Sequence, residues 1–198
     1  MQEPIFIKDF LPQHVLNVLY SYIIIKYTNE DSKFDIQTNS LVGCYKDYLA
    51  ETILDISTSV VSENVNKKLF PSYSYLRVYD KGSDLPIHVD RPSCEYTVAL
   101  CVGALPYDVP YDIFVGEADS TSDYKYFDEK RNLIPLKINY KFSMLPNNAL
   151  IFKGMDSLHW REHCSHDHFI TIFLHYVDQE GPYSEYRFDK KQFLGSTV

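Results

Sequence analysis

Positive charge is scarce in this sequence: 19 lysines and arginines face 27 acidic residues, leaving a formal net charge of -8 and a pI near 5.3. Phosphate binding depends on clustered Lys and Arg that displace counterions, so no nucleic-acid partner is expected. Long apolar runs are missing too. The most apolar stretch, YSYIII, is far too short to span a bilayer, and the opening MQEPIFIKDF lacks a basic segment followed by a long apolar one. No membrane partner is expected, and the location reads as cytoplasmic. Cysteine is sparse: Cys44, Cys94, Cys101 and Cys164 show neither zinc-type pairing nor the density of a disulfide scaffold, so reduced thiols are expected. Repeats, low-complexity tracts and composition-shifted linkers are also absent.

What is present is an ordinary globular composition, 45% hydrophobic and 23% charged, which sets aside disordered and fibrous classes. A chain of 198 residues suits one domain with a real core. Within it, LPQHVLNVLYSYIIIKY spaces Val15, Val18, Leu19 and Tyr22 at helical steps, with Pro12 suited to a first turn, and AETILDISTSVVSENVNKKL repeats the pattern at Ile53, Ile56, Val60, Val61, Val65 and Leu69. The polar stretch NEDSKFDIQTNS between them reads as a loop. From Pro71 the texture changes to aromatic and β-branched runs: SYSYLRVY, LPIHV, EYTVALCVG, YDIFVGE, LIPLKIN, NALIFKG and FITIFLHYV. Strands without helical crossovers predict a sandwich or barrel. The organisation is therefore helical support over 1–70, a β core over 71–178 and a C-terminal extension over 179–198, either docked or frayed. The polar segment ADSTSDYKYFDEKRN reads as an excursion at the rim.

Chemistry enters with His88-Val89-Asp90. With seven histidines and 27 acidic residues, about one His-x-acid triplet arises by chance, so context must carry the reading. The triplet ends a strand-like stretch after a Gly-containing turn, and residues two apart on a strand share a face. His159, far along the chain near another strand start, supplies a third donor if a closed barrel brings it opposite. Two imidazoles and a carboxylate on one face of a six-coordinate iron(II) leave positions open for a bidentate cosubstrate and O₂.

On these residues the chain resembles the 2-oxoglutarate and iron(II)-dependent oxygenases, and most of all their prolyl 4-hydroxylase-like branch. PIFIKDFLPQHVLNVL is similar to that branch's opening strand and helix, YLRVYDKGSDLPIHVD to its strand, turn and metal-binding His-x-Asp, and NNALIFKGMDSLHW to the approach to the distal His. HVDRPSCEYTVAL, HWRE and FLHYV are similar to a subgroup of small oxygenase-like proteins. The resemblance implies a mainly β fold with N-terminal helices, a distorted double-stranded β-helix of jelly-roll or cupin type. It implies Fe(II) held by His88, Asp90 and His159, with 2-oxoglutarate and O₂ as cosubstrates, and it admits ascorbate as an accessory reductant. Hydroxylation of a peptide, as at peptidyl proline, or of a small molecule would follow. Tyr79 matches a tyrosine that the family aims at the cosubstrate.

One departure stands out. The family places an Arg or Lys at the start of the strand after the distal His to bind the far carboxylate of 2-oxoglutarate, and here that region reads His166-Asp167-His168-Phe169. Arg161 is the leading substitute, with His168 and Arg91 as others. Arg161 could equally pair with Glu162 or Asp156, and Arg91 with Glu95. An iron(II) oxygenase that does not use 2-oxoglutarate, and a non-catalytic binding module on the same barrel, stay open beside the hydroxylase. The neighbouring histidines His163, His166, His168 and His175 read as incidental residues of a solvated loop, since with Cys164 they match no zinc spacing.

Overall fold

The computed structural model describes residues 2–29, 35–40, 42–121, 125–128, 130 and 132–196. The loop expected at 29–40 and the rim excursion at 119–132 lie partly outside the described residues, as do Thr197 and Val198. In chain order the elements are β1 (Ile5–Ile7), α1 (Gln13–Asn29), β2 (Val42–Tyr45), α2 (Tyr48–Val65), β3 (Leu69–Tyr79), β4 (Leu85–His88), β5 (Tyr96–Leu105), β6 (Tyr111–Ala118), β7 (Lys125–Phe127), β8 (Leu133–Met144), β9 (Ala149–Phe152), β10 (Leu158–Arg161) and β11 (His168–Asp178).

Both helices form where the apolar spacing put them. Val15 and Leu16 N–H groups bond to Pro12 O, so Pro12 caps the start of α1 without needing an N–H of its own. Asp47 is the N-cap of α2 and accepts from Leu49 and Ala50 N–H. Its other oxygen takes the Tyr22 hydroxyl and the Lys26 ammonium, both at 2.8 Å, which ties α1 to α2. The second helix stops at Val65 instead of running on to Leu69, because Asn66 adopts a left-handed conformation with φ 51° and closes it. Neither helix is long and apolar enough to cross a membrane.

The described strands make two antiparallel sheets, one ordered β1-β9-β5-β11-β3-β2 and the other β4-β10-β6-β8-β7. This is a double-stranded β-helix, as the resemblance implied. Alternation on the large sheet divides its side chains cleanly. Leu76, Val78, Ile170, Ile172 and Leu174 point outward and join Leu19, Ile23, Ile53 and Leu54 of the helices in one core, while Tyr79, Phe169 and Phe173 point inward and pack with Ile113 and Val115 of the small sheet. Trp160 and Phe114 stack on the far side of the small sheet. The tail is docked: Ser72 Oγ donates to Tyr186 O, and Lys46 Nζ donates to Phe188 O and Ser196 O. No disulfide forms among the described residues.

Candidate metal centre

Pairing of β10 with β4 sets His159 directly across from His88. The ring centroids lie 4.2 Å apart, and each Nε2 is 3.6 Å from Asp90 Oδ1. Asp90 arrives differently from the strand alternation expected for it. The strand ends at His88, and the Asp90 N–H instead bonds to Gly154 O at 2.9 Å, which turns the carboxylate toward the two rings. Gly154 is needed for this approach, since a Cβ there would lie 2.2 Å from Asp90 Oδ2.

The backbone also fixes the rings. His88 Nδ1–H donates to Pro86 O at 2.8 Å, and His159 Nδ1–H donates to Ser157 O at 3.0 Å. Each imidazole is thereby left with its Nε2 lone pair facing Asp90, the arrangement that metal-binding histidines receive from backbone acceptors. Burial lowers both imidazole pKa values to about 4, and at His88 the neighbouring His159 adds to the effect. Neutral rings are what a metal needs. The chemistry of the donor set, two imidazole nitrogens and one carboxylate oxygen within 4.8 Å of one another, fits iron(II) with open positions.

Beside this group lies a pocket of about 300 Å³, lined among others by Tyr73, Tyr75, Arg77, Arg91, Phe173 and His175. Of the residues expected to bind cosubstrate, the structure gathers some and separates others. Tyr79 is fully buried on the inner face, its ring flanked by the guanidinium carbons of Arg77 at 5.8 Å and Arg161 at 5.5 Å. Arg161 does not line the pocket; it lies among the Tyr79, Tyr111 and Phe169 rings and donates to the Tyr111 and Asp112 carbonyls. His168 is a correction. Phe169, Thr171, Phe173 and His175 are the inward residues of β11, so His168 turns outward, where Tyr20 Oη lies 3.1 Å from its Nε2. Arg91 is at the pocket mouth, over the Tyr73 ring at 4.4 Å, and pairs with Asp189 of the tail at 2.9 Å; Glu95 accepts from Asp178 N–H instead.

Arg77 was missed, although period two from Tyr79 along YLRVY puts it on the same face. It is buried, its Nε donates to Asp35 Oδ2 at 2.8 Å, and its Nη2 donates to Gln37 Oε1 at 2.8 Å. His175 was also misread. It is buried at 5% exposure and lines the metal pocket, because an imidazole at an odd-numbered position of β11 must face inward.

The fold has relatives among solved structures. The non-haem α-ketoglutarate-dependent epimerase SnoN from nogalamycin biosynthesis superposes with a TM-score of 0.62 at 10% identity, covering 88% of this chain and 78% of its own. A Pseudomonas putida prolyl-4-hydroxylase gives 0.57 at 10% identity over 87% and 91% of the two chains. The viral collagen prolyl hydroxylase of Paramecium bursaria Chlorella virus-1, solved with 2OG, gives 0.55 at 12% identity over 87% and 94%. No family model and no curated protein matches at the level of sequence. The chain thus has the double-stranded β-helix fold of 2-oxoglutarate and iron(II)-dependent oxygenases, prolyl hydroxylases among them.

Proposed function

We propose that this protein is a mononuclear non-haem iron(II) oxygenase that uses 2-oxoglutarate and O₂ to hydroxylate a C–H bond of a small molecule or of a peptide side chain. The observation that carries this reading is the convergence of His88 Nε2, His159 Nε2 and Asp90 Oδ1 beside a pocket. When bound, iron(II) with a chelating 2-oxo acid supplies the O₂-activating oxidation, with succinate and CO₂ as coproducts. The chain's own residues bind and orient. Pro86 O and Ser157 O hold the ligand rings, and Tyr73, Tyr75 and Phe173 form an aromatic part of the pocket wall beside them.

For the far carboxylate of the cosubstrate the reading assigns Arg77, with Tyr79 beside it. Arg77 lines the pocket, and its planar guanidinium suits a carboxylate. Its present partner Asp35 marks the position as one that accepts a carboxylate. Arg161 and Arg91 are the competing assignments, and separate substitutions distinguish them.

Anaerobic titration of the iron(II)-loaded protein with 2-oxoglutarate tests this. A weak visible charge-transfer band should appear, and in Arg77→Gln it should require roughly ten to a hundred times more cosubstrate, the loss of a charge-assisted hydrogen bond. An unchanged titration in Arg77→Gln together with a weakened one in Arg161→Gln moves the anchor to Arg161. Iron binding without any band favours a second reading, an iron(II) oxygenase whose substrate itself chelates the metal; the Arg77–Asp35 ion pair favours it, because that guanidinium is already engaged. Failure to bind iron leaves a non-catalytic barrel.

A further inference from the structure

The second oxygen of Asp90 has neighbours of its own. Thr97 lies on the inner face of β5, and its hydroxyl donates to Asp90 Oδ2 at 3.0 Å. The same oxygen, Thr97 Oγ1, is 3.0 Å from His175 Nδ1, and the two residues sit directly opposite each other in the β5–β11 pairing. Both are buried, at 1% and 5% exposure. A hydroxyl carries one proton, and an ionised carboxylate can only accept. With the Thr97 proton committed to Asp90, the contact with His175 requires Nδ1–H to donate to Thr97 Oγ1. The imidazole is therefore the Nδ1–H tautomer, and its Nε2 carries the lone pair.

Gly154 closes the other side of this arrangement. A Cβ at that position would meet Asp90 Oδ2 at 2.2 Å and Thr97 Oγ1 at 2.5 Å, so both atoms press against the glycine backbone. Oδ2 is thus enclosed by Thr97 and Gly154, while Oδ1 alone faces His88 and His159. The stretches HVDRPSCEYTVAL and FLHYV, separated by more than a third of the chain, supply Asp90, Thr97 and His175 and meet at this one carboxylate.

Resting on the metal site proposed above, we infer that Thr97 and His175 are positioning residues that hold Asp90 as a one-oxygen metal ligand. Their hydrogen-bond chain occupies Oδ2, keeps the carboxylate from rotating into two-oxygen chelation, and so preserves an open position on the metal for the cosubstrates. Cys94 Sγ also lies within 4.8 Å of donor atoms of Asp90 and His175, a grouping that could hold a second ion. Its thiol, however, is engaged with the Tyr73 hydroxyl at 3.1 Å, and His175 Nδ1 is engaged with Thr97 Oγ1, which favours the hydrogen-bonded chain over a second centre.

The test is anaerobic titration of the protein with Co(II) and with Fe(II), followed by calorimetry and by the visible absorption of the Co(II) form. Thr97→Val should weaken metal binding by roughly ten- to a hundredfold, as loss of a partner behind a metal ligand does, and should change the Co(II) band envelope as Asp90 gains a second metal contact. Thr97→Ser, which keeps the hydroxyl, should restore both. His175→Leu should give a smaller loss in the same direction, recovered by His175→Asn, whose amide can place an N–H near the Nδ1 position. If Thr97→Val does not fold, Thr97→Ala makes the same comparison. A folded Thr97→Val or Thr97→Ala protein with wild-type affinity and an unchanged Co(II) spectrum overturns the inference while leaving the proposed function intact. Two metal ions per chain, the second lost in His175→Leu, overturn it in favour of a second centre. A wild-type protein that binds neither ion ends both readings.

Discussion

The two faces of the large sheet are built from the same strands and share almost nothing else. Outward, β3, β5 and β11 present Leu76, Val78, Val98, Leu100, Ile172 and Leu174, all at 1% exposure or less beneath the helices. Inward, the neighbouring positions present Tyr73, Arg77, Thr97, Thr171 and His175. The outer face stabilises by removing apolar area from water, about 1.5–3 kcal/mol for each large side chain. The inner face holds polar groups whose burial costs free energy unless each finds a partner; the Thr171 hydroxyl is buried with none among the described residues. The outer face thus packs without touching the site, whereas the inner face carries both a second apolar cluster, with Ala99, Phe169 and Phe173, and the polar groups of the pocket, so an outward residue can be changed without altering the site.

The sharpest way to break this separation is to cross it. His159→Ala on the inner side should reduce metal binding to the nonspecific background while leaving the circular dichroism of the fold intact; metal content after gel filtration decides. Leu174→Ala, from the opposite face of β11, should cost about 2–5 kcal/mol in urea unfolding yet leave one metal ion per folded chain. Loss of metal from a folded Leu174→Ala protein would show that the faces are coupled after all.

A third experiment sharpens the contrast through pH. His159 and His175 are buried and His88 is half-buried on the inner side, all three neutral, each lowered mainly by desolvation from the ordinary 6.5 to about 4. Between those values the unfolded chain binds protons that the folded metal-free chain does not. Their contribution is therefore complete above pH 6.5 and is lost as the pH falls toward 4, on the order of a few kcal/mol for each ring. Urea midpoints of metal-free protein should fall across that window, less steeply in His175→Leu; a flat profile would refute buried neutral rings. Smallest of all is the tail. Asp189→Asn should lower stability by no more than about 1 kcal/mol, because its Arg91 partner is half exposed, yet it should speed proteolysis after Gly181.

Much of this was legible in the chain because periodicity is local. The change from helical spacing to alternating aromatic and β-branched residues at Pro71 marks the long strand β3, whereas α1 meets the sheet through Leu16, Leu19 and Ile23 and leaves Val18 62% exposed, so the spacing located the helix but only partly its buried face. The short β2 was not legible, since VGCY is too brief to show a period and becomes a strand only by pairing with β3. Arg77 was legible in principle and was passed over for Arg161. Both follow the alternation rule, two residues from Tyr79 and from His159 respectively.

The sequence by itself determined the two helices, the strand texture, and a His-x-Asp with a distant histidine suited to a metal. The helices and the strand texture follow from residue spacing, which the backbone repeats enforce without any long-range contact, whereas the grouping of His88, Asp90 and His159 rested on the family resemblance. Only the tertiary structure decided which groups share the pocket. The cross-strand register set His159 against His88, the Gly154 carbonyl turned Asp90 inward beyond the strand end, and β5–β11 pairing placed Thr97 and His175 behind it. Alternation specifies a face but neither depth nor partner, so it could not separate Arg77, which lines the pocket, from Arg161, which serves the carbonyls of β6.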